Sequence, residues 1–285
     1  MSTNTELTRA ETRRAEGLKI NDLKAQRKGS RRDAVSEGPS RDATGPASWR
    51  SLIVQPVAIL FVLGLFAIWL ITADLTDVER TTLSPSSLWR GMIEHLSLTF
   101  VAGITVLVIA IPLGVLLTRK AFRLIATPIL IVANIGQAAP AVGLIVLLAI
   151  FIPSGYWASI VALVLYAALP VLRNTMIGIQ GVDARLIEAG RGMGMSSIAV
   201  LLKVELPLAV PVMLAGIRTA LVLVVGTAAL AAFINGGGLG LLITTGVNLY
   251  LYNVLIAGAL LIALLALSID WLGRVVEHVA RPKGI

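Results

Sequence analysis

The chain has 285 residues, of which 56% are hydrophobic and only 14% charged, and its mean hydropathy is +0.87. This composition excludes a compact water-soluble domain and is typical of an integral membrane protein. The net charge of +8 does not indicate nucleic-acid binding, because the basic residues lie mainly in the first fifty positions and between apolar runs. The sequence has no cysteine, which excludes disulfides and thiolate chemistry, and its two histidines offer little for a metal site.

Residues 1–50 are polar and rich in Arg, Lys, Glu, Ser and Gly, with too little apolar surface to offset chain entropy. We expect a disordered cytoplasmic tail that is not a cleavable signal. Residues 51–95 follow as a first transmembrane helix, Leu52 to Ala73, and a polar external loop. That apolar run is long enough to cross a lipid core of roughly 30 Å.

Five further apolar runs predict five more membrane spans. The first ends at the basic residues Arg119, Lys120 and Arg123, which places that end in the cytoplasm. The run from Leu124 to Phe151 contains Asn134, Gln137 and Pro140. Since each half is too short to cross alone, we expect one broken helix with its kink near Pro140. In order, the five predicted spans are Leu96 to Thr118, Leu124 to Phe151, Tyr156 to Leu172, Val212 to Ile234 and Asn253 to Gly273.

Six spans place both termini in the cytoplasm and leave residues 274–285 as a cytoplasmic tail. The same count places residues 183–207, between the fourth and fifth spans, in the cytoplasm. Four charges from Asp183 to Arg191 prevent this segment from crossing the membrane. We expect a short helix broken by Gly192 and Gly194, then a second helix capped by Ser196 or Ser197 and ended by Pro207.

The spacing within this segment resembles the EAA loop of ABC importer permeases, which reads Glu-Ala-Ala, three residues, Gly, nine residues and Ile-x-Leu-Pro. Gly190 replaces the second Ala and Val204 replaces the Ile. The residues that match in register are Glu188, Ala189, Gly194, Leu206 and Pro207. Segments 134–141, 169–175, 215–220 and 231–240 are similar to the glycine betaine, carnitine and choline branch. Ala138-Ala139-Pro140-Ala141 departs from that branch's Thr-Ile-Pro-Ser and leaves the substrate open.

The resemblance covers Glu94 to Gly273 and implies an all-α fold of six transmembrane helices with the MetI-like core of type I importers, residues 96–273. It implies a permease that moves a small osmoprotectant across the bacterial inner membrane by alternating access. The implied partners are membrane lipid, a second permease subunit (identical or different), a solute-binding protein outside and a cytoplasmic ATPase that holds ATP-Mg. Glu188 would anchor the ATPase, Ala189 and Gly190 would form the close-contact face, and Gly194 the turn, in a loop that closes at Pro207.

No catalytic residue, metal site or cofactor of its own is expected for the chain, which lacks a Gly-x-x-x-x-Gly-Lys-Ser/Thr phosphate loop. Asn134 and Gln137, beside Pro140, either line the pathway or form hydrogen bonds between helices. The glycine segment, Asn235, Gly236, Gly237 and Gly238, forms an outer gate or a tight loop. Arg218 either snorkels to the cytoplasmic surface or contributes to docking or gating.

Other functions remain open from the residues alone. Within transporters, the alternative is a permease for another small solute, such as methionine or an alkylsulfonate. An intramembrane hydrolase is disfavoured, because the sequence has no HExxH motif and no histidine in a predicted span. A purely structural membrane anchor does not account for the spacing of the 183–207 segment.

Overall fold

The computed structural model describes residues 49–153 and 155–280, which belong to one compact unit, and every regular element there is helical. The predicted tail 1–50 lies, except for its last two residues, outside the described residues, and so do residues 281–285. The α-helices are α1 Trp49–Thr72, α2 Asp77–Thr82, α3 Pro85–Leu117, α4 Arg123–Ala138, α5 Ala141–Phe151, α6 Gly155–Gln180, α7 Ala184–Gly192, α8 Ser197–Val200, α9 Leu206–Ala228, α10 Gly240–Asn248 and α11 Tyr252–Ala280.

Five helical segments are long and apolar enough to cross a membrane: α1, α3, α6, α11 and the continuous segment Ser197–Ile234, which contains α9. Helices α4 and α5 meet this criterion only as a pair, and they are bent by 104°. The bend lies at Ala139 and Pro140, where both residues have extended backbone. Proline has no N–H to donate and disfavours helical backbone in the residue before it. The predicted break near Pro140 is confirmed.

The bent pair runs from one end of the helix bundle to the other. Its start follows the end of α3, where Arg119 contacts Glu205 just before α9. Its end precedes the start of α6, where Tyr156 is hydrogen-bonded to Ser97 in the first half of α3. The pair is therefore one broken crossing. We call the end with Arg119, Lys120 and α7 the basic end, and the end with Asp74, Asp77 and Glu94 the acidic end.

Helix α6 lies at the centre and packs against α3, α9 and both halves of the broken helix. The contacts are close because small residues occupy the crossings. A Cβ atom on Gly178 would lie 3.0 Å from the Ala209 carbonyl oxygen, and one on Gly114 would lie 2.9 Å from the Thr175 side chain. Helix α1 is attached at the periphery along α11, where Trp271 Nε1 donates to the Leu52 carbonyl oxygen at 2.7 Å.

Several helix limits differ from the sequence prediction. Helix α3 begins at Pro85 instead of Leu96, because its first turns, although polar, pack against the glycine segment near Gly91. Helix α11 continues to Ala280, past the predicted limit at Gly273. The prediction that Pro207 ends a helix is wrong. Pro207 lies in the first turn of α9, where a proline is tolerated.

Candidate functional site

Helix α7, in the segment that resembles the EAA loop, has defined signals at both ends. At its start, the Asp183 carboxylate accepts the Arg185 backbone N–H at 2.9 Å. At its end, Gly194 has a positive φ of 82°, its N–H donates to Arg191, and the Met195 N–H donates to the Gly190 carbonyl. This is the Schellman arrangement, which requires a left-handed residue at the position of Gly194. The helix is therefore a short element with both ends fixed.

The two faces of α7 differ in what they contact. Gly190 is buried against the chain itself, since a Cβ atom there would lie 3.3 Å from Met195 Sδ and 3.4 Å from Val200. Glu188 and Ala189 are exposed. Within the described residues, none of the ion pairs involves Glu188. The small size of Gly190 thus serves packing inside the segment, while Glu188 and Ala189 lie on the free face.

Helix α7 is mechanically connected to a membrane span. It packs on α8 and on a π-helical turn, Leu201–Glu205, which leads without interruption into α9. Ser196 caps α8 by accepting the Ala199 N–H at 3.2 Å, as the sequence suggested. A displacement of α7 would therefore reach α9 through the packing of α7 on α8 and on the π-helical turn, which are continuous with α9.

A second connection from this segment was not recognised in the sequence. Glu205 is 4% exposed and accepts two hydrogen bonds from the Arg119 guanidinium, at 3.2 and 2.5 Å. Arg119 follows the end of α3, so the pair links the π-helical turn to a second span. The available signal was a lone acid at an apolar boundary, in Val204-Glu205-Leu206-Pro207.

Asn134 lies in the interior of the broken crossing and forms a hydrogen bond between helices. Its Oδ1 atom accepts from Arg173 Nη2 on α6 at 2.8 Å, and its Nδ2 atom donates to the Leu130 carbonyl oxygen. Gln137, one turn nearer the bend, is half-buried, and Pro140 is exposed. The structure thus joins Asn134 to Arg173, which lies one residue beyond the predicted end of the fourth span at Leu172 but inside α6, because that helix continues to Gln180.

The glycine segment lies at the acidic end, and part of its backbone has a left-handed conformation that residues other than glycine rarely adopt. Asn235, Gly237 and Gly238 have positive φ angles of 56°, 84° and 88°. The Gly238 N–H donates to the Glu94 carboxylate at 3.0 Å, and a Cβ atom on Gly238 would approach the buried His95 ring. Together with residues of α2, α3 and α6, the segment lines a cavity of about 810 Å³.

Four charged residues of α9 and α11 pair with one another. Arg218 Nη1 contacts Glu277 at 3.1 Å, and Arg218 Nε lies 3.6 Å from Asp270. Asp270 also pairs with Arg274. Arg218 thus belongs to an ion cluster between α9 and α11. Across the described residues, no group of three or more His, Asp or Glu side chains is arranged to hold a metal ion.

Residues 110–281 match the family described as "Binding-protein-dependent transport system inner membrane component". The match includes α7, the π-helical turn and α9, together with the broken crossing.

Among curated relatives, the "Glycine betaine/carnitine/choline transport system permease protein OpuCB" of Bacillus subtilis is 43% identical over 195 residues, which are 67% of this chain and 88% of the relative. The "Choline transport system permease protein OpuBB" of the same organism is 44% identical, with the same coverage. The "Osmoprotectant import permease protein OsmW" of Salmonella typhimurium is 41% identical over 197 residues, which are 67% of this chain and 91% of the relative.

A solved structure of the MetNI methionine ABC transporter, in an inward-facing conformation, is also similar to this chain. The TM-score is 0.59 and the sequence identity 27%, over 68% of this chain and 96% of the matched chain.

Proposed function

The chain belongs to the family of inner membrane components of binding-protein-dependent transport systems, and we propose that it is the permease subunit of an ATP-driven importer for glycine betaine, choline or carnitine. The observation that carries this proposal is helix α7, whose exposed Glu188 and Ala189 lie on an element packed against the helical segment that leads into α9. The osmoprotectant class is supported by relatives of 41–44% identity. The MetNI similarity, at 27% identity, makes methionine the second candidate.

The charge distribution supports a cytoplasmic basic end. Lys and Arg are concentrated at the end that carries α7, whereas Asp and Glu dominate the acidic end. The positive-inside rule places the end that is rich in Lys and Arg in the cytoplasm. In this orientation both termini and the α7 segment lie in the cytoplasm of a bacterial cell. A separate ATPase subunit, which carries ATP-Mg, docks on α7 there, and a solute-binding protein approaches the acidic end.

In the proposed mechanism, closure of the ATPase pair displaces α7. Glu188 is its polar anchor, Ala189 lies in the contact, and Gly194 holds the turn that fixes the helix end. The displacement passes through the π-helical turn to α9 beyond Pro207, and through the Arg119–Glu205 pair to α3. Because packed helices move as rigid units, a small shift at one end alternates access at the other.

Solute enters at the acidic end in this proposal. The cavity of about 810 Å³ opens between α2, α3 and the glycine segment. One side of its lining is the proposed outer gate, formed by Asn235, Gly236, Gly237 and Gly238. A second permease subunit, identical or different, completes the pathway. Asn134, Gln137 and Pro140 belong to the pathway wall at the middle of the membrane, where the broken crossing exposes polar groups and backbone.

The test is a charge reversal, Glu188→Arg, in the importer assembled with its ATPase, second permease and binding protein. A reversed charge in a docking contact costs several kcal/mol, so we expect uptake of labelled glycine betaine to fall by more than about tenfold. ATP hydrolysis should no longer respond to loaded binding protein. Gly194→Val, which disfavours the left-handed turn, should give the same uncoupling with a smaller loss.

Lys120→Glu is the matched control, because it also reverses an exposed charge at the same end of the bundle but lies outside α7. It should leave coupling intact, and immunoblots of membranes should show equal amounts of all variants. Normal uptake by Glu188→Arg would refute the docking assignment. Competition by unlabelled methionine, but not by choline or carnitine, would favour the second candidate.

A further inference from the structure

Arg173 is an exposed arginine inside a membrane span, and it has no carboxylate partner among the described residues. We propose that Arg173 lines a water-filled translocation pathway and binds the carboxylate of zwitterionic solutes there. The inference rests on the proposed permease function. It identifies residues that line one wall of the pathway and explains how the importer would discriminate among solutes.

The first support is depth. Arg173 precedes the end of α6, Gln180, by seven residues, which places its Cα atom about 10 Å inside the helix end. Its hydrogen-bond partner Asn134 follows the start of α4, Arg123, by eleven residues, about 16 Å along that helix. The guanidinium and the amide therefore meet inside the candidate span Gly155–Gln180, away from the basic end of the bundle.

The second support is the direction of the two side chains. Side chains on a helix lean towards its N-terminus. Helix α6 runs from the acidic to the basic end, so Arg173 leans into the membrane, and α4 runs the opposite way, so Asn134 leans to meet it. An arginine facing lipid extends towards the nearest surface. Arg173 instead holds Asn134 Oδ1 at 2.8 Å.

The third support is the surrounding face. Thr127, Ile131 and Asn134 follow one another along one side of α4 at helical spacing, and Ile177 lies one turn from Arg173 on α6. Thr127, Ile131 and Ile177 are exposed in the single chain, and Asn134 is partly exposed. Since a guanidinium in contact with lipid hydrocarbon is costly, this face borders water within the assembled importer.

The chemistry of the guanidinium indicates which solutes it favours. Arginine has five N–H donors in a planar fork that matches a carboxylate, and one nitrogen, Nη2, is engaged by Asn134. Glycine betaine and carnitine carry a carboxylate, whereas choline carries a hydroxyl group in its place. Removing the guanidinium should therefore weaken import of the first two more than import of choline.

Water access can be measured directly because the natural sequence has no cysteine. In the assembled importer, Ile131→Cys and Ile177→Cys should react with a charged, membrane-impermeant methanethiosulfonate at least about tenfold faster than Leu60→Cys, since only the hydrated thiolate reacts. Leu60 is an exposed apolar residue in the middle of α1. Equal, slow labelling at all three positions would overturn the inference, because Arg173 would then face lipid or a dry subunit contact.

Solute discrimination is measured with Arg173→Gln. Uptake of glycine betaine and carnitine should fall at least about tenfold more than uptake of choline, with Arg173→Lys in between, because lysine keeps the charge but loses the fork. Lys120→Gln, at an exposed position beyond the end of α3, is the control. Equal loss for all three solutes would overturn the carboxylate site. A further outcome is that the unaltered chain imports none of the three solutes while Ile131→Cys and Ile177→Cys still react faster than Leu60→Cys. That result would refute the proposed osmoprotectant specificity but would leave the placement of Arg173 on the pathway wall intact.

Discussion

Glu79 stabilises the short helix α2, which connects α1 to α3 at the acidic end. Its carboxylate accepts the Thr76 backbone N–H and the Thr76 hydroxyl, both at 3.0 Å, in a capping box at the start of α2. Asn253, in the first turn of α11, donates to the same carboxylate. The hydrogen bond from the Thr76 N–H is the main cause that lowers the pKa of Glu79 below its ordinary value, against the opposing effect of burial.

We predict that Glu79 makes the thermal stability of the permease pH-dependent. Because the folded-state pKa is lowered, the stabilisation is complete above the unfolded value of about 4.3 and is lost as the pH falls through the folded-state pKa. Glu79→Gln should cost about 1 kcal/mol at pH 7, as for a lost cap, and less at pH 3.5. The measurement is the melting midpoint of the purified permease in detergent at both pH values.

Asp77→Asn, an exposed acid in the same helix, controls for a general loss of charge and should change the midpoint little at either pH. A Glu79→Gln midpoint that falls as steeply with acid as that of the unaltered protein would show that another group causes the pH dependence.

At the scale of elements, the Arg119–Glu205 pair connects α3 to the helical segment that carries α7. Arg119→Glu should destabilise the permease and reduce uptake, because breaking a buried ion pair costs about 3–5 kcal/mol and the partial exposure of Arg119 places this pair at the lower end. Exchanging both residues, Arg119→Glu with Glu205→Arg, should recover part of both losses. Melting midpoint and ATP-coupled uptake are the two measurements.

Lys120→Glu, at the exposed neighbouring position, should be nearly neutral. If the exchanged pair recovers the melting midpoint without recovering coupled uptake, the pair stabilises the bundle but does not transmit the motion of α7.

Local patterns in the sequence determine some of these elements and leave others undetermined. The break at Pro140 was predictable because proline acts on its own backbone neighbours, and Gly194 was predictable as a turn for a similar reason. The early start of α3 was not, since polar residues such as Glu94 are held in helix by contacts with a glycine segment more than 140 positions later. The pairs Arg119–Glu205 and Arg173–Asn134 depend likewise on which helices become neighbours.

At the scale of the whole molecule, the broken crossing formed by α4 and α5 determines on which side of the membrane each later segment of the chain lies. Helices α4 and α5 begin at the basic end and finish at the acidic end, so α7 returns to the same end as Arg119. If the pair turned back instead, α7 would lie opposite the predicted ATPase and Glu188 would have no docking role. The sidedness of α7 is therefore the condition on which the proposed coupling depends.

The cysteine-free sequence allows this sidedness to be tested with three conservative, exposed substitutions: Ser86→Cys before the broken crossing at the acidic end, Ala121→Cys before it at the basic end, and Ser197→Cys after it. In intact cells, a membrane-impermeant maleimide should label only Ser86→Cys if the basic end faces the cytoplasm, as proposed above. Permeabilised cells should show labelling at all three positions. Labelling of Ser197→Cys, but not Ala121→Cys, in intact cells would mean that the bent pair re-enters on the side it came from, and the proposed ATPase contact would then be impossible.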